Sequence, residues 1–331
     1  MISKRKTLLI GIFVALLLAG EWSKNVAKAN NGPVRAKKDF RVVGYLPRGG
    51  DLSGQTAMPI LRKITHLNIA FMNPDSIGVF PVDKSIDTLT ALAHANGVSV
   101  LLSIGGGNAP DYLKTLLGGS HQDSLVQALA ALTERYSCDG IDVDLEGHFI
   151  DSSYESFVKK LAVALKTKKK LITAAIATAY SNSYTDAALA QFDFVNVMSY
   201  DKTGPWSPSK PGPHAPLSMA EEDLAYWRGT RGIPKAKITL GLPFYGYGFG
   251  TNAPESISYQ DIVNKYPEYW NADQLTVPGG GVIYYNGLAT IQNKTDLALK
   301  NASGVMIWQL LQDAAGDRSL LRAINKKIPG N

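Results

Sequence analysis

Residues 139–147 read DGIDVDLEG. Asp142, Asp144 and Glu146 fall two residues apart, and a β-strand turns successive side chains to opposite faces, so the three carboxylates share one face. Ile141, Val143 and Leu145 take the other face, where helices can pack on them. Aligned acids repel one another, and a solvated loop has no use for regular apolar spacers. The pattern predicts an acid row held inside a barrel or sheet, with one carboxyl raised enough in pKa to donate a proton near neutral pH. Two other readings exist: a half-exposed strand with a charged face, and a divalent-cation loop, since alternating aspartates open a calcium-binding loop. Against the loop stand the apolar spacers, and the twelfth position counted from Asp142 is Ser153 instead of a bidentate glutamate.

Outward from this run, short apolar segments alternate with helix-like ones. Strands are predicted near 41–46, 65–71, 98–103, 140–145, 171–176, 193–199, 237–242 and 304–308. Helices are predicted at 86–96, 123–136, 153–166, 185–191, 219–229 and 290–301. Eight strands alternating with helices in one domain, 39–331, predict an α/β fold, a (β/α)8 barrel. Such barrels place their chemistry at the C-terminal ends of the strands. Tyr45, Phe71, Ser103, Glu146, Tyr200, Phe244, Tyr245 and Trp308 all lie at or just past a predicted strand end.

The acid run resembles the D-x-x-D-x-D-x-E motif of glycoside hydrolase family 18, the chitinases and their relatives, with Asp139, Asp142, Asp144 and Glu146 at its fixed positions. Ser103-Ile104-Gly105-Gly106 is similar to that family's third-strand S-x-G-G, and Met198-Ser199-Tyr200-Asp201 to its sixth-strand M-x-Y-D. Leu242–Gly246 resembles the seventh-strand motif, and Gly304–Trp308 the eighth-strand segment that ends in tryptophan. The motifs occur in the family's order from about residue 40 to 325. Many relatives insert a small α+β domain after the seventh strand. Here only residues 247–303 lie between the seventh and eighth strands, so little or no insertion is expected. Ser258–Tyr266 is expected as a short helix and residues 279–287 as a hairpin-like piece, which predicts a shallow, open groove.

The resemblance implies a retaining, substrate-assisted glycosidase acting on β-1,4-linked N-acetylglucosamine, most simply a chitinase. Ordinary retaining enzymes use a second carboxylate as nucleophile. Around the seventh strand the chain offers no acid until Glu255. By resemblance, the substrate's 2-acetamido oxygen attacks instead, and Glu146 is the general acid and later the base. Burial and the Asp144 charge are expected to raise its pKa. Asp144 would bind the acetamido N–H, Asp142 would share a proton with Asp144, and Ser103 would donate to Asp142. Tyr200 would hold the acetamido oxygen, Trp308 would form the apolar floor under the sugar, and Asp201 would bind a sugar hydroxyl. Tyr45, Phe71, Met198, Tyr245 and Trp206 are further substrate-binding candidates. Gly105 and Gly106 are expected to give backbone space. Asp139, out of phase with the other acids, is expected to make a structural hydrogen bond. No cofactor and no metal is implied, and the five histidines show no metal-ligand spacing. Two rivals stay open: an endo-β-N-acetylglucosaminidase acting on N-glycans, and a non-catalytic lectin on the same barrel.

Lys4, Arg5 and Lys6 precede an apolar run from Leu8 to Ala19, which reads as a signal peptide over 1–29 with a cleavage site at Ala27-Lys28-Ala29. Residues 30–38 read as a flexible leader. The expectation is a secreted or periplasmic protein, free of the membrane once the signal is cleaved, with no lipobox cysteine and a monomeric state. The formal charge of +6 shrinks without the first 29 residues, which hold five basic residues and one acidic residue. The remaining 29 basic and 27 acidic residues give +2, which excludes the basic field that nucleic-acid binding needs. Cys138 is the only cysteine, so no intrachain disulfide forms, and its place just before the acid strand suits a buried small apolar residue.

Overall fold

A computed structural model of the chain describes residues 40–52 and 54–330. The signal peptide and leader expected over 1–38 lie outside the described residues. The strands are β1 (Arg41–Pro47), β2 (His66–Ala70), β3 (Ser99–Gly105), β4 (Gly140–Asp144), β5 (Leu171–Ile176), β6 (Phe194–Val197), β7 (Ile238–Pro243), β8 (Tyr245–Phe249), β9 (Ser256–Ser258), β10 (Gln274–Thr276), β11 (Val282–Tyr284) and β12 (Gly304–Trp308). Eight of them, β1 through β7 and β12, close into a barrel in the order β1-β12-β7-β6-β5-β4-β3-β2. Every neighbouring pair is parallel, as the helical crossovers require.

The alternation read at 139–147 divides two environments. Ile141, Val143 and Leu145 are fully buried on the outer face, in one core with Phe157, Leu161 and Leu165. Those three come from the helix Tyr154–Thr167, whose buried residues recur at helical spacing. On the inner face, register aligns Ser103 and Thr173 with Asp142, and Gly105 with Asp144. A one-residue slip in β4 would turn the acids into this apolar layer and the aliphatics into the barrel.

Between β7 and β12 the insertion is small. It holds a four-stranded antiparallel sheet in the order β10-β11-β8-β9 and one short helix, Tyr259–Lys265. The helix sits where Ser258–Tyr266 was expected, capped by the Ser258 side chain accepting from Asp261 N–H. The hairpin expected at 279–287 starts earlier, pairing β10 with β11 over 274–284, and β8 and β9 were not foreseen; β9 and β10 span 3 residues each, too short to show alternation. The helix expected at 185–191 is a single turn, Asp186–Leu189. The one at 219–229 begins earlier as Leu217–Ala225 and widens into a π-helical turn over Tyr226–Thr230.

Candidate active site

Asp142 lies at the centre of the barrel with no solvent exposure. Its Oδ2 accepts from the Tyr45 hydroxyl at 2.6 Å and the Ser103 hydroxyl at 2.8 Å. Its Oδ1 accepts from Thr173 Oγ1 at 2.5 Å and Asn196 Nδ2 at 3.3 Å. Burial raises its pKa, and the donors from Thr173, Tyr45 and Ser103 pull the other way by favouring the ionised form.

Asp144, one step nearer the strand end, is 4% exposed, and its Oδ1 has no hydrogen-bond partner among the described residues. Burial first, then the charges of Glu146 and Asp142, hold its carboxyl well above the usual range. Adjacent carboxyls of this kind titrate as a set. Glu146 emerges past the strand end and is partly exposed. Burial, with a further contribution from the Asp201 charge, pushes it up from 4.5 to about 7. The sequence pointed to Asp144 as the charged neighbour; the structure gives Asp201, from the loop after β6, in that place, and the repulsion between Asp144 and Glu146 raises Asp144 instead.

Glu146 lines a cleft of about 510 Å³ together with Gly107, Asn108, Asp111, His148 and Tyr180. His148 Nε2 lies 3.3 Å from Asp111 Oδ1, joining the loops that follow β3 and β4. On the other side of the acid row, Trp308 packs at 5.5 Å on Tyr45 and stacks at 5.7 Å on Phe71. Met198 is half-buried against the same cluster. The Tyr200 hydroxyl is buried and lies 3.7 Å from Met306 Sδ. Asp201 adopts φ +64, in the left-handed region, and its Oδ1 accepts from the Tyr245 hydroxyl at 2.5 Å.

Two of the substrate-binding candidates belong to a different layer. Tyr45 is 1% exposed with its hydroxyl spent on Asp142, and Tyr245 is 4% exposed with its hydroxyl spent on Asp201. Both rings are buried, and each hydroxyl braces a carboxylate. Trp206 is 59% exposed on the loop after β6, edge-on to Tyr247 at 5.2 Å. Asp139 lies at the opposite end of β4, where its Oδ2 accepts from Val100 N–H at 2.7 Å and contacts His94 Nε2 at 2.8 Å. Thr173 and Asn196, absent from the sequence reading, complete the Asp142 cage. Each is a lone polar residue in an apolar strand, LITAAI and FVNV, and that was the available signal. His214, whose Nδ1 lies 3.3 Å from Asp201 Oδ1, had no such signal. Among the described residues no group of three or more His, Cys, Asp or Glu is placed to hold a metal ion.

A (β/α)8 barrel whose strand ends carry an Asp-Asp-Glu row, one member poised near neutrality in a cleft, has the build of an acid–base hydrolase. The chain belongs to glycosyl hydrolases family 18, whose family model matches residues 41–313. A solved GH18 chitinase from the chitin utilization locus of Flavobacterium johnsoniae superposes with a TM-score of 0.79 at 36% identity, covering 88% of this chain and 94% of that one. A chitinase from Bacteroides thetaiotaomicron gives a TM-score of 0.72 at 29% identity, over 88% and 96% of the two chains. A chitinase-like effector of Moniliophthora roreri is 27% identical over 282 residues, 74% of this chain and 67% of that protein.

Proposed function

We propose that the protein is a chitinase, hydrolysing β-1,4 links in N-acetylglucosamine polymers with retention, the substrate's own acetamide serving as nucleophile. The observation that carries this reading is Glu146 at the cleft, its pKa raised to about 7, beside the buried Asp144 whose Oδ1 has no partner among the described residues. Glu146 gives its proton to the glycosidic oxygen as the bond from that oxygen to the anomeric carbon breaks. The acetamido carbonyl oxygen bonds the same carbon, forming a cyclic oxazolinium ion, while Asp144 accepts from the acetamido N–H and offsets the cationic charge. Water then attacks the anomeric carbon, Glu146 takes the water's proton, and the ring reopens to the acetamide.

Asp142, held by four donors, supports Asp144 from below. Tyr200 orients the acetamide for attack, and Trp308 with Phe71 gives the sugar an apolar floor. Met198, Asp201 and Trp206 complete the binding surface, and Gly105 and Gly106 make room for it. The proposal extends to a monomer exported by the signal peptide over 1–29, with residues 39–331 as one catalytic domain.

The test is to offer purified protein chito-oligosaccharides and an N-glycosylated protein side by side and weigh the products by mass spectrometry. Shortened chito-oligosaccharides support the chitinase reading. Release of intact glycans alone would move the protein to the endo-β-N-acetylglucosaminidases, and binding without cleavage would make it a lectin. Glu146→Gln lowers turnover by at least ~100-fold while keeping oligosaccharide binding, because the amide has no acidic proton to give.

A further inference from the structure

His214, on the loop between β6 and the helix Leu217–Ala225, is sealed from solvent. Its Nδ1 lies 3.3 Å from Asp201 Oδ1 and its Nε2 3.3 Å from the Tyr245 carbonyl oxygen. A carbonyl only accepts, so Nε2 carries a hydrogen. An ionised carboxylate also only accepts, so both contacts are hydrogen bonds together when the ring holds two protons and a positive charge. The same Asp201 oxygen already takes the Tyr245 hydroxyl.

The groups facing the ring can be named element by element. Asp201 comes from the loop after β6, and Tyr245 and Tyr247 from β8, with ring centroids at 5.1 and 5.0 Å. Behind the loop, the buried Lys294 of the helix Leu288–Asn301 donates to the Ala215 carbonyl at 2.8 Å and to Asn286 Oδ1 at 2.8 Å. Lys202 N–H donates to the His214 carbonyl at 2.9 Å, and its ammonium stands 3.9 Å from Glu222. Each ring nitrogen thus has an oxygen within 3.3 Å, and the loop that carries the imidazole is pinned on either side of it.

We propose that His214 is a positioning residue. As an imidazolium it anchors the Asp201 carboxylate and offsets its charge, and so sets the field in which Glu146 holds its proton, without touching substrate. The Asp201 charge favours the protonated form of Glu146, and a cation bonded to Asp201 weakens that influence. This inference rests on the acid role of Glu146 argued above.

The decisive variant is His214→Asn, which keeps an N–H directed at Asp201 and removes the positive charge. Glu146 can be titrated directly through its side-chain carboxyl carbon by NMR, the signal assigned by its loss in Glu146→Gln. The expected result is a midpoint ~0.5–1 pH unit higher in His214→Asn than in the wild type, with the alkaline limb of turnover following it. On an Asp201→Asn background the ring no longer has the carboxylate that holds its second proton, so the same substitution leaves the midpoint where it was. A folded His214→Asn protein titrating like the wild type overturns the inference; a role confined to packing would lower stability without moving the midpoint. Nitrogen-15 NMR of the wild-type histidine rings decides the matter if the variant does not fold. Two protonated ring nitrogens on the buried histidine at pH 6 support the inference, and a neutral ring overturns it. Absence of chito-oligosaccharide cleavage would defeat the functional proposal alone, since the carboxyl titration needs no turnover.

Discussion

At the scale of single residues, the site is a gradient of exposure along one strand face. Asp142 is caged, Asp144 is buried with an oxygen to spare, and Glu146 reaches the cleft. Each step outward exchanges protein donors for room for a ligand. Asp142→Asn tests the innermost step. One carboxylate oxygen becomes an amide NH2; on the Oδ1 side it meets the donor-only Asn196 NH2, and on the Oδ2 side the Tyr45 and Ser103 hydroxyls have to turn from donating to accepting. A stability loss of about 1–3 kcal/mol is expected from the denaturant midpoint, with turnover reduced as well. The outermost step sets the pH profile. A general acid works while protonated, so kcat/KM is expected to fall as pH rises through about 7, where Glu146 loses its proton. Asp201→Asn removes a charge that raises this pKa, so its alkaline limb moves to lower pH. A limb that stays fixed would take Asp201 out of the field at Glu146.

At the scale of elements, the ends of β3 and β4 are cut to fit one another. Gly105 has φ +107, and a Cβ there would meet the Asp144 carbonyl oxygen at 2.0 Å. Gly106 has φ +87, and its Cβ would stand 2.2 Å from Phe71 Cε2. Gly106→Ala therefore has to push the Phe71 ring off Trp308. Gly49 supplies the control, having φ +80 but no atom of the described residues within 4 Å of an added Cβ. Gly49→Ala is expected to cost only the left-handed backbone penalty, about 1–2 kcal/mol. Gly106→Ala should cost more than this in thermal unfolding and should also raise KM, because the sugar floor is displaced. Equal losses in the two variants would show that the ring contact carries no weight.

What the sequence disclosed follows the same boundary between local and distant. The acid row and its apolar spacers were legible because period two is a property of a single strand. The helix at 154–167 was legible from its own spacing. Thr173 and Asn196 meet Asp142 only when the barrel closes, 31 and 54 residues away along the chain. The hydroxyl partners of Tyr45 and Tyr245 were not legible, because a terminal strand aromatic looks the same whether its ring faces ligand or its hydroxyl braces a carboxylate. In the insertion β9 and β10 span 3 residues each, too brief to announce themselves, and β8 alternates aromatics with glycines directly after β7, so the helix Tyr259–Lys265 was visible and these strands were not.

At the scale of the whole molecule, several titratable groups are held in their neutral forms by burial, and together they shape stability against pH. Glu146 is raised from 4.5 to about 7 and Asp313 from 3.8 to about 6, both chiefly by burial. Between the ordinary and raised values the folded chain binds more protons than the unfolded chain, so stability falls as pH rises from about 4 to 7. Lys294 is displaced the opposite way, its amine lowered from 10.5 to about 7 by burial. From pH 7 to about 10.5 the unfolded chain binds the extra proton, so stability rises again with pH. The expected outcome is a minimum in unfolding free energy near pH 7, each limb worth up to several kcal/mol at ~1.4 kcal/mol per pKa unit. Above about pH 10 the buried tyrosines, Tyr45 and Tyr200 among them, are raised well above 10.0, so stability declines once more as the unfolded chain ionises first. Chemical denaturation from pH 4 to 11 maps this curve. Lys294→Met removes the amine, so the rise between pH 7 and 10 should vanish while the fall between pH 4 and 7 persists. The slope is the readout, because the absolute level also changes when Asn286 Oδ1 loses its donor. A Lys294→Met protein that keeps the alkaline rise would mean that the amine is charged where it lies and that another group carries the linkage.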